Sequence, residues 1–138
     1  MLPEPTDSRR ARFEELVRSL ELFENVEPDK DGDFQVTTPE GNNLWVRLII
    51  GPPFGVVRVF TILASGTSLS LDLLGELNAI NAATHHVKVV WAGGVITAEV
   101  DVRAATVEPG QLVAALFHVR RVAKNYREVL TAVYGHAA

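Results

Sequence analysis

The histidines are the first residues to test for chemistry. His85 and His86 stand side by side, and Glu99 and Asp101 follow downstream, donors of the kind a divalent metal accepts. The pair sits at the entry to a strand, where neighbouring side chains point to opposite faces, so the two do not share one ion. His118 and His136 have no partner at ligand spacing. No Ser, Thr or Lys stands in a nucleophile motif with a base beside it. Cysteine is absent, which removes thiolate chemistry, disulfides and cysteine metal sites together. The pattern predicts no catalytic residue, no metal and no cofactor.

Two polar constellations remain. Arg120, Arg121, Lys124 and Arg127 form a basic run that would suit an acidic or nucleic-acid contact. It also suits a solvated helix face that complements the helix C-terminal dipole, and that is the expectation here. With 17 acidic against 13 basic residues and a net charge of −4, the chain lacks the positive surface that a duplex needs. Asn78 and Asn81 lie three apart and share a helix face. They either bond the helix end to the following loop or, with Leu74, set the register of a helix-to-helix dimer.

The elements that must position these residues follow from periodicity. The 138 residues, 47% hydrophobic and 22% charged, fit one soluble domain. Residues 1–6 read as a flexible arm. Thr6, Asp7 or Ser8 would cap a helix, and Phe13, Leu16, Val17, Leu20 and Phe23 give it an apolar stripe ending near Asn25. Turn chemistry over Pro28 to Gly32 leads into strands at about 33–38, 44–50 and 56–63. They are separated by Gly41-Asn42-Asn43 and by the stiff turn Gly51-Pro52-Pro53-Phe54-Gly55. Short turns between successive strands imply an antiparallel meander. A second helix over 71–83 would bury Leu71, Leu74, Leu77 and either Ile80 or Asn81. Strands at 87–91 and 95–102 join through Ala92-Gly93-Gly94. A long helix then opens at Glu108-Pro109 and carries Leu112, Leu116, Val119, Ala123, Tyr126, Leu130 and Val133 as its stripe. The start of the chain has no apolar leader and no run long enough to span a bilayer, so a cytoplasmic protein without membrane contact is expected.

The order α-β-β-β-α-β-β-α resembles the type III secretion chaperone-like fold, an α+β fold with an antiparallel sheet. Leu77-Asn78-Ala79-Ile80-Asn81, the glycine hairpin, the strand Ala98-Glu99-Val100-Asp101 and the closing helix with Leu112, Leu116 and Ala123 resemble the YbjN family within it. The resemblance covers about residues 8–134. It implies a dimerising, peptide-binding, chaperone-like domain without enzymatic activity, and it carries no role in secretion.

Strand faces give an independent expectation. Ile96, Ala98, Val100 and Val102 alternate with Thr97, Glu99 and Asp101, so one sheet face is core and the other wet. Arg47 places Trp45 and Ile49 on the wet face, Arg58 places Val56, Phe60 and Ile62 there, and Lys88 places Val90 there. That much apolar surface marks either a partner-binding patch, Trp45, Arg47, Ile49, Arg58, Phe60 and Ile62, or a face crossed by a helix. The arginines would bond the carbonyls of an extended peptide. A second class of function, a regulatory or sensory module working through small-molecule or signalling contacts, stays open beside the binding domain.

Overall fold

A computed structural model describes residues 6–52 and 54–135. The arm expected over residues 1–6 lies outside them except for Thr6, which already belongs to a helix; Pro53 and His136 also lie outside. The elements are α1 (Thr6–Arg18), β1 (Phe34–Thr37), β2 (Asn43–Ile49), β3 (Val56–Ala64), α2 (Leu71–Ala83), β4 (Lys88–Ala92), β5 (Val95–Arg103) and α3 (Pro109–Tyr134). The expected element order is therefore the observed one.

The five strands form one antiparallel sheet in the order β1-β2-β3-β5-β4. The first three strands do make a meander. The fourth does not extend it, because α2 carries the chain across and β5 returns to lie against β3, leaving β4 at the edge. Gly41, with φ +86°, turns β1 into β2, and Gly93 and Gly94, with φ +58° and +84°, turn β4 into β5. Side chains with a Cβ rarely adopt that left-handed conformation.

The inner sheet face presents Phe34, Leu44, Val46, Val57, Val59, Ile96, Ala98 and Val100, all buried, and the helices pack beneath it. α3 buries Leu112, Ala115, Leu116, Val119, Val122, Ala123 and Leu130. Its start is fixed by a capping box between Glu108 and Gln111, with Pro109 in the first turn. Near its end Thr131 Oγ1 donates to the Leu63 carbonyl at 2.8 Å. Val133, expected in this stripe, is 63% exposed; Tyr134, one helical step of four beyond Leu130, packs there instead.

Two helix expectations need correction. The first helix ends at Arg18, not near Asn25. The Ser19 N–H is shared between the Glu15 and Leu16 carbonyls, which tightens the chain into a 3₁₀ turn over Glu21–Phe23. Leu20 and Phe23 stay buried in the core, and the Phe34 ring meets Phe13 and Phe23 edge-on at 5.8 and 6.5 Å. In α2 the buried residues are Leu73, Leu77 and Ile80, whereas Leu71 and Leu74 are 88% and 47% exposed. Ser70 Oγ accepts from the Leu73 N–H at 3.0 Å and fixes where the helix begins. The spacing of 73, 77 and 80 then satisfies the core, while Leu71 and Leu74 turn away from it.

Candidate functional site

The strand registers bring the outer-face residues together. Trp45 lies opposite Phe60, Arg47 opposite Arg58 and Ile49 opposite Val56 across β2 and β3. On the other side of β3, Phe60 faces Glu99, Arg58 faces Asp101 and Ile62 faces Thr97. The Trp45 and Phe60 rings stack with centroids 5.5 Å apart and an interplanar angle of 13°. The Arg47 guanidinium sits over the Phe60 ring at 4.8 Å. Trp45, Ile49 and Phe60 are half-buried and Ile62 is 37% exposed. The buried side chains of all three helices belong to the core under the opposite face, so among the described residues no helix crosses this one. The expectation of a helix across this face is not met among the described residues.

Placing two arginines directly opposite each other is unfavourable unless each has its own counter-charge. Arg47 bonds the buried Asp33 carboxylate through two nitrogens, at 2.9 and 2.7 Å. Asp33 is in turn held by its own N–H, bonded at 3.0 Å to Asp29 Oδ1. Arg58 bonds Asp101 at 2.8 and 3.0 Å and also meets Glu99 at 3.0 Å. These bonds raise both guanidinium pKa values, chiefly through the hydrogen bonds the guanidiniums donate to Asp33 and Asp101. The Arg58 bond, helped by Lys88, holds the Asp101 carboxyl below the usual carboxylate range. Both arginines are therefore committed within the chain. They frame the aromatic pair and do not stand free for a peptide's carbonyls.

The other predicted residues separate. Asn81 accepts from the Val89 N–H at 2.7 Å and donates to the Val89 carbonyl at 2.9 Å, so its amide is engaged with β4. Leu74 and Asn78 are exposed on α2. The basic run is not simply solvated. Arg120 bonds Glu40 at 3.0 and 2.9 Å and Arg127 bonds the buried Asn42 Oδ1 at 2.7 Å, which pins the β1–β2 hairpin to α3. Arg120 also draws the Glu40 carboxyl pKa downward.

Three features escaped the sequence reading. His118 does have a histidine neighbour: its ring lies 5.1 Å from that of His86. Asp29, Asp31 and Asp33 gather their carboxylates within 4.8 Å, an arrangement explained by the Asp29 turn and the Arg47 bond. A groove of about 900 Å³ runs between α1 and the β2–β3 turn, lined by Phe13, Leu16, Leu48, Ile50, Phe54 and Val57 with Arg9 and Arg12 at its rim. The exposed Ile50 and Phe54 around the proline turn were its signal in the sequence.

The sequence matches, over residues 9–136, the family model described as "T3SS (YopN, CesT) and YbjN peptide-binding chaperone 1". The chain belongs to this family, whose description is of a peptide-binding chaperone and not of an enzyme. The expected resemblance is thereby borne out.

Solved structures agree on the fold. A HopA1–SchA chaperone–effector complex contains a chain matching at TM-score 0.65 and 11% identity, covering 90% of this chain and 99% of the other. An ExsC–ExsE complex matches at TM-score 0.64 and 12% identity, covering 94% and 98%. The Yersinia pestis type III secretion chaperone SycH, solved with a fragment of YscM2, matches at 0.59 and 16%, covering 86% and 98%. No curated protein matches the chain. Among the described residues no helix is long and apolar enough to cross a membrane.

Proposed function

We infer that this peptide-binding chaperone domain holds a segment of another protein against the outer sheet face, with Trp45 and Phe60 at its centre. The observation that carries the reading is the stacked Trp45–Phe60 pair on a sheet face that no helix covers among the described residues. Aromatic residues at the middle of a patch dominate binding, because they bury large area with few rotamers to freeze. Ile62 extends the apolar surface along β3, and the Arg47–Asp33 and Arg58–Asp101 pairs form a polar row between the aromatic pair and Ile49. The HopA1–SchA chaperone–effector complex and the ExsC–ExsE complex, both pairings of proteins, favour a protein client over a small molecule.

We further propose a homodimer formed through α2, where Leu71, Leu74 and Asn78 share one exposed face. Asn81 continues that stripe, but its amide is occupied by Val89. The setting we propose is cytoplasmic.

The test is direct. Peptides selected from a random displayed library against the purified chain are titrated while tryptophan emission is read. Seating over the outer face should shift the Trp45 signal to the blue, and Trp45→Phe should remove the shift while Trp91→Phe keeps it. Phe60→Asp should abolish binding. Selected peptides that bind Phe60→Asp as tightly as the parent would overturn the reading.

A further inference from the structure

A second concave site lies away from the sheet face, between the end of α2 and the middle of α3. Its volume is about 280 Å³, and its lining includes His85, His118, Arg121, Asn125 and Tyr126. None of the lining residues is acidic. Arg10, Arg18, Arg47, Arg58, Arg120 and Arg127 each bond a named oxygen, whereas Arg9 and Arg103, like Arg121, have no such bond among the described residues. Arg121 makes no hydrogen bond or ion pair with another described residue, and the polar ends of His85, His118, Asn125 and Tyr126 are equally uncommitted.

The cleft is also shaped by a local distortion. His86 has φ +70°, a conformation uncommon for a residue with a side chain. It turns the chain so that its ring packs on that of His118 at 5.1 Å, while Phe117 meets His118 from another side at 5.8 Å. His118 thus has ring contacts with both His86 and Phe117.

A guanidinium, two imidazoles, a carboxamide and a phenol hydroxyl in one cleft supply N–H and O–H donors without a competing carboxylate. Such a set matches an oxyanion, and a guanidinium fork matches phosphate geometry in particular. We propose that this cleft binds a phosphate group, with Arg121 as its charged anchor and His85, His118 and Tyr126 as further donors. The site is independent of the outer-face reading and shares no residue with it. The group would reach it either as free phosphate or as a phosphorylated side chain of a bound segment.

The experiment follows backbone and imidazole NMR signals while inorganic phosphate is added to the full chain, at constant ionic strength, up to tens of millimolar. A second titration uses a phosphoserine tripeptide, with its unphosphorylated form as control. Saturable shifts confined to residues around 84–87 and 118–126 are expected for at least one probe. The tighter of the two identifies the source, and the unphosphorylated peptide should give none. Arg121→Gln should weaken binding by at least about tenfold, the effect of one lost charge-assisted contact. Lys30→Gln, which removes the same charge from a turn outside the cleft, should not weaken it. Absence of saturable shifts with both probes, or equal loss in the two variants, would overturn the site.

Discussion

Asn81 of α2 closes the free edge of the sheet by pairing with Val89 of β4, accepting from its N–H at 2.7 Å and donating to its carbonyl at 2.9 Å. β4 is hydrogen-bonded only to β5, so these two backbone groups face away from the rest of the sheet. A side-chain amide carries one donor and one acceptor at the spacing of a peptide unit, and here it stands in for the missing strand. Unpaired edges recruit other strands, so the contact protects the fold as well as stabilising it.

Asn81→Ala should therefore cost about 1–3 kcal/mol, since two backbone groups on a buried residue lose their partner. Urea denaturation measures the cost, and faster amide exchange at Val89 localises it. Asn81→Asp, which keeps the acceptor but loses the donor, should not restore stability. An unchanged midpoint in Asn81→Ala would show that water replaces the amide without penalty.

The face assignment is tested by two adjacent residues of one strand. Val59 is fully buried on the inner face, while Phe60 is half-buried on the outer one. Val59→Asp places an unpaired charge in the core and should leave no folded protein, as circular dichroism would show. Phe60→Asp loses its ring stack with Trp45, worth about 0.5–1.5 kcal/mol, together with part of its burial. It should fold, though less stably than a fully solvent-facing position would allow. Unfolding of Phe60→Asp with survival of Val59→Asp would invert the faces.

Much of this arrangement is legible in the sequence, because strand alternation is local. Arg47 and Arg58 mark the outer face wherever the strands are placed, and the register then brings Trp45 to Phe60. What governs α2 is less visible. Leu71, Leu73, Leu74 and Leu77 allow two apolar stripes, and only the Ser70 cap and the position of β4 choose Leu73 over Leu74. The arginine partners are harder still. Asp33 lies 14 residues from Arg47 and Asp101 lies 43 from Arg58, distances that no periodicity spans. The ring contact of His86 with His118 joins residues 32 apart at a positive φ, which a non-glycine residue does not advertise.

Acid should loosen the polar row of the outer face. The Asp101 carboxyl, bonded to Arg58, titrates below its ordinary value, so it binds protons more weakly folded than unfolded. Its stabilisation is present in full above the unfolded carboxylate pKa of about 4 and is lost as pH falls through the lower folded value. Glu40, bonded to Arg120, shifts in the same direction. Both groups are accessible enough that solvent screening keeps the effect modest. Asp101→Asn should flatten the decline in melting temperature below about pH 4 relative to the parent. An identical pH profile in the variant would show that this carboxylate contributes nothing.

Self-association can be assigned to one surface by contrasting two exposed apolar residues. Leu74 is 47% exposed on α2, beside Leu71 at 88% and on the same helical face as Asn78, whereas Ile62 is 37% exposed on the sheet. A two-fold axis beside α2 would bury Leu71 and Leu74 against their symmetry copies, the commonest way to hide a patch with a second identical one. Burying each such side chain is worth about 1.5–3 kcal/mol, and the gain counts twice across a two-fold interface. Light scattering at micromolar concentration should give a dimer mass for the parent chain. Leu74→Glu should give a monomer with unchanged circular dichroism, because the residue is not part of the core. Ile62→Glu should remain dimeric while losing affinity for selected peptides. Were Ile62→Glu the monomer and Leu74→Glu the dimer, the sheet face would be the self-association surface, and α2 would be left to the client.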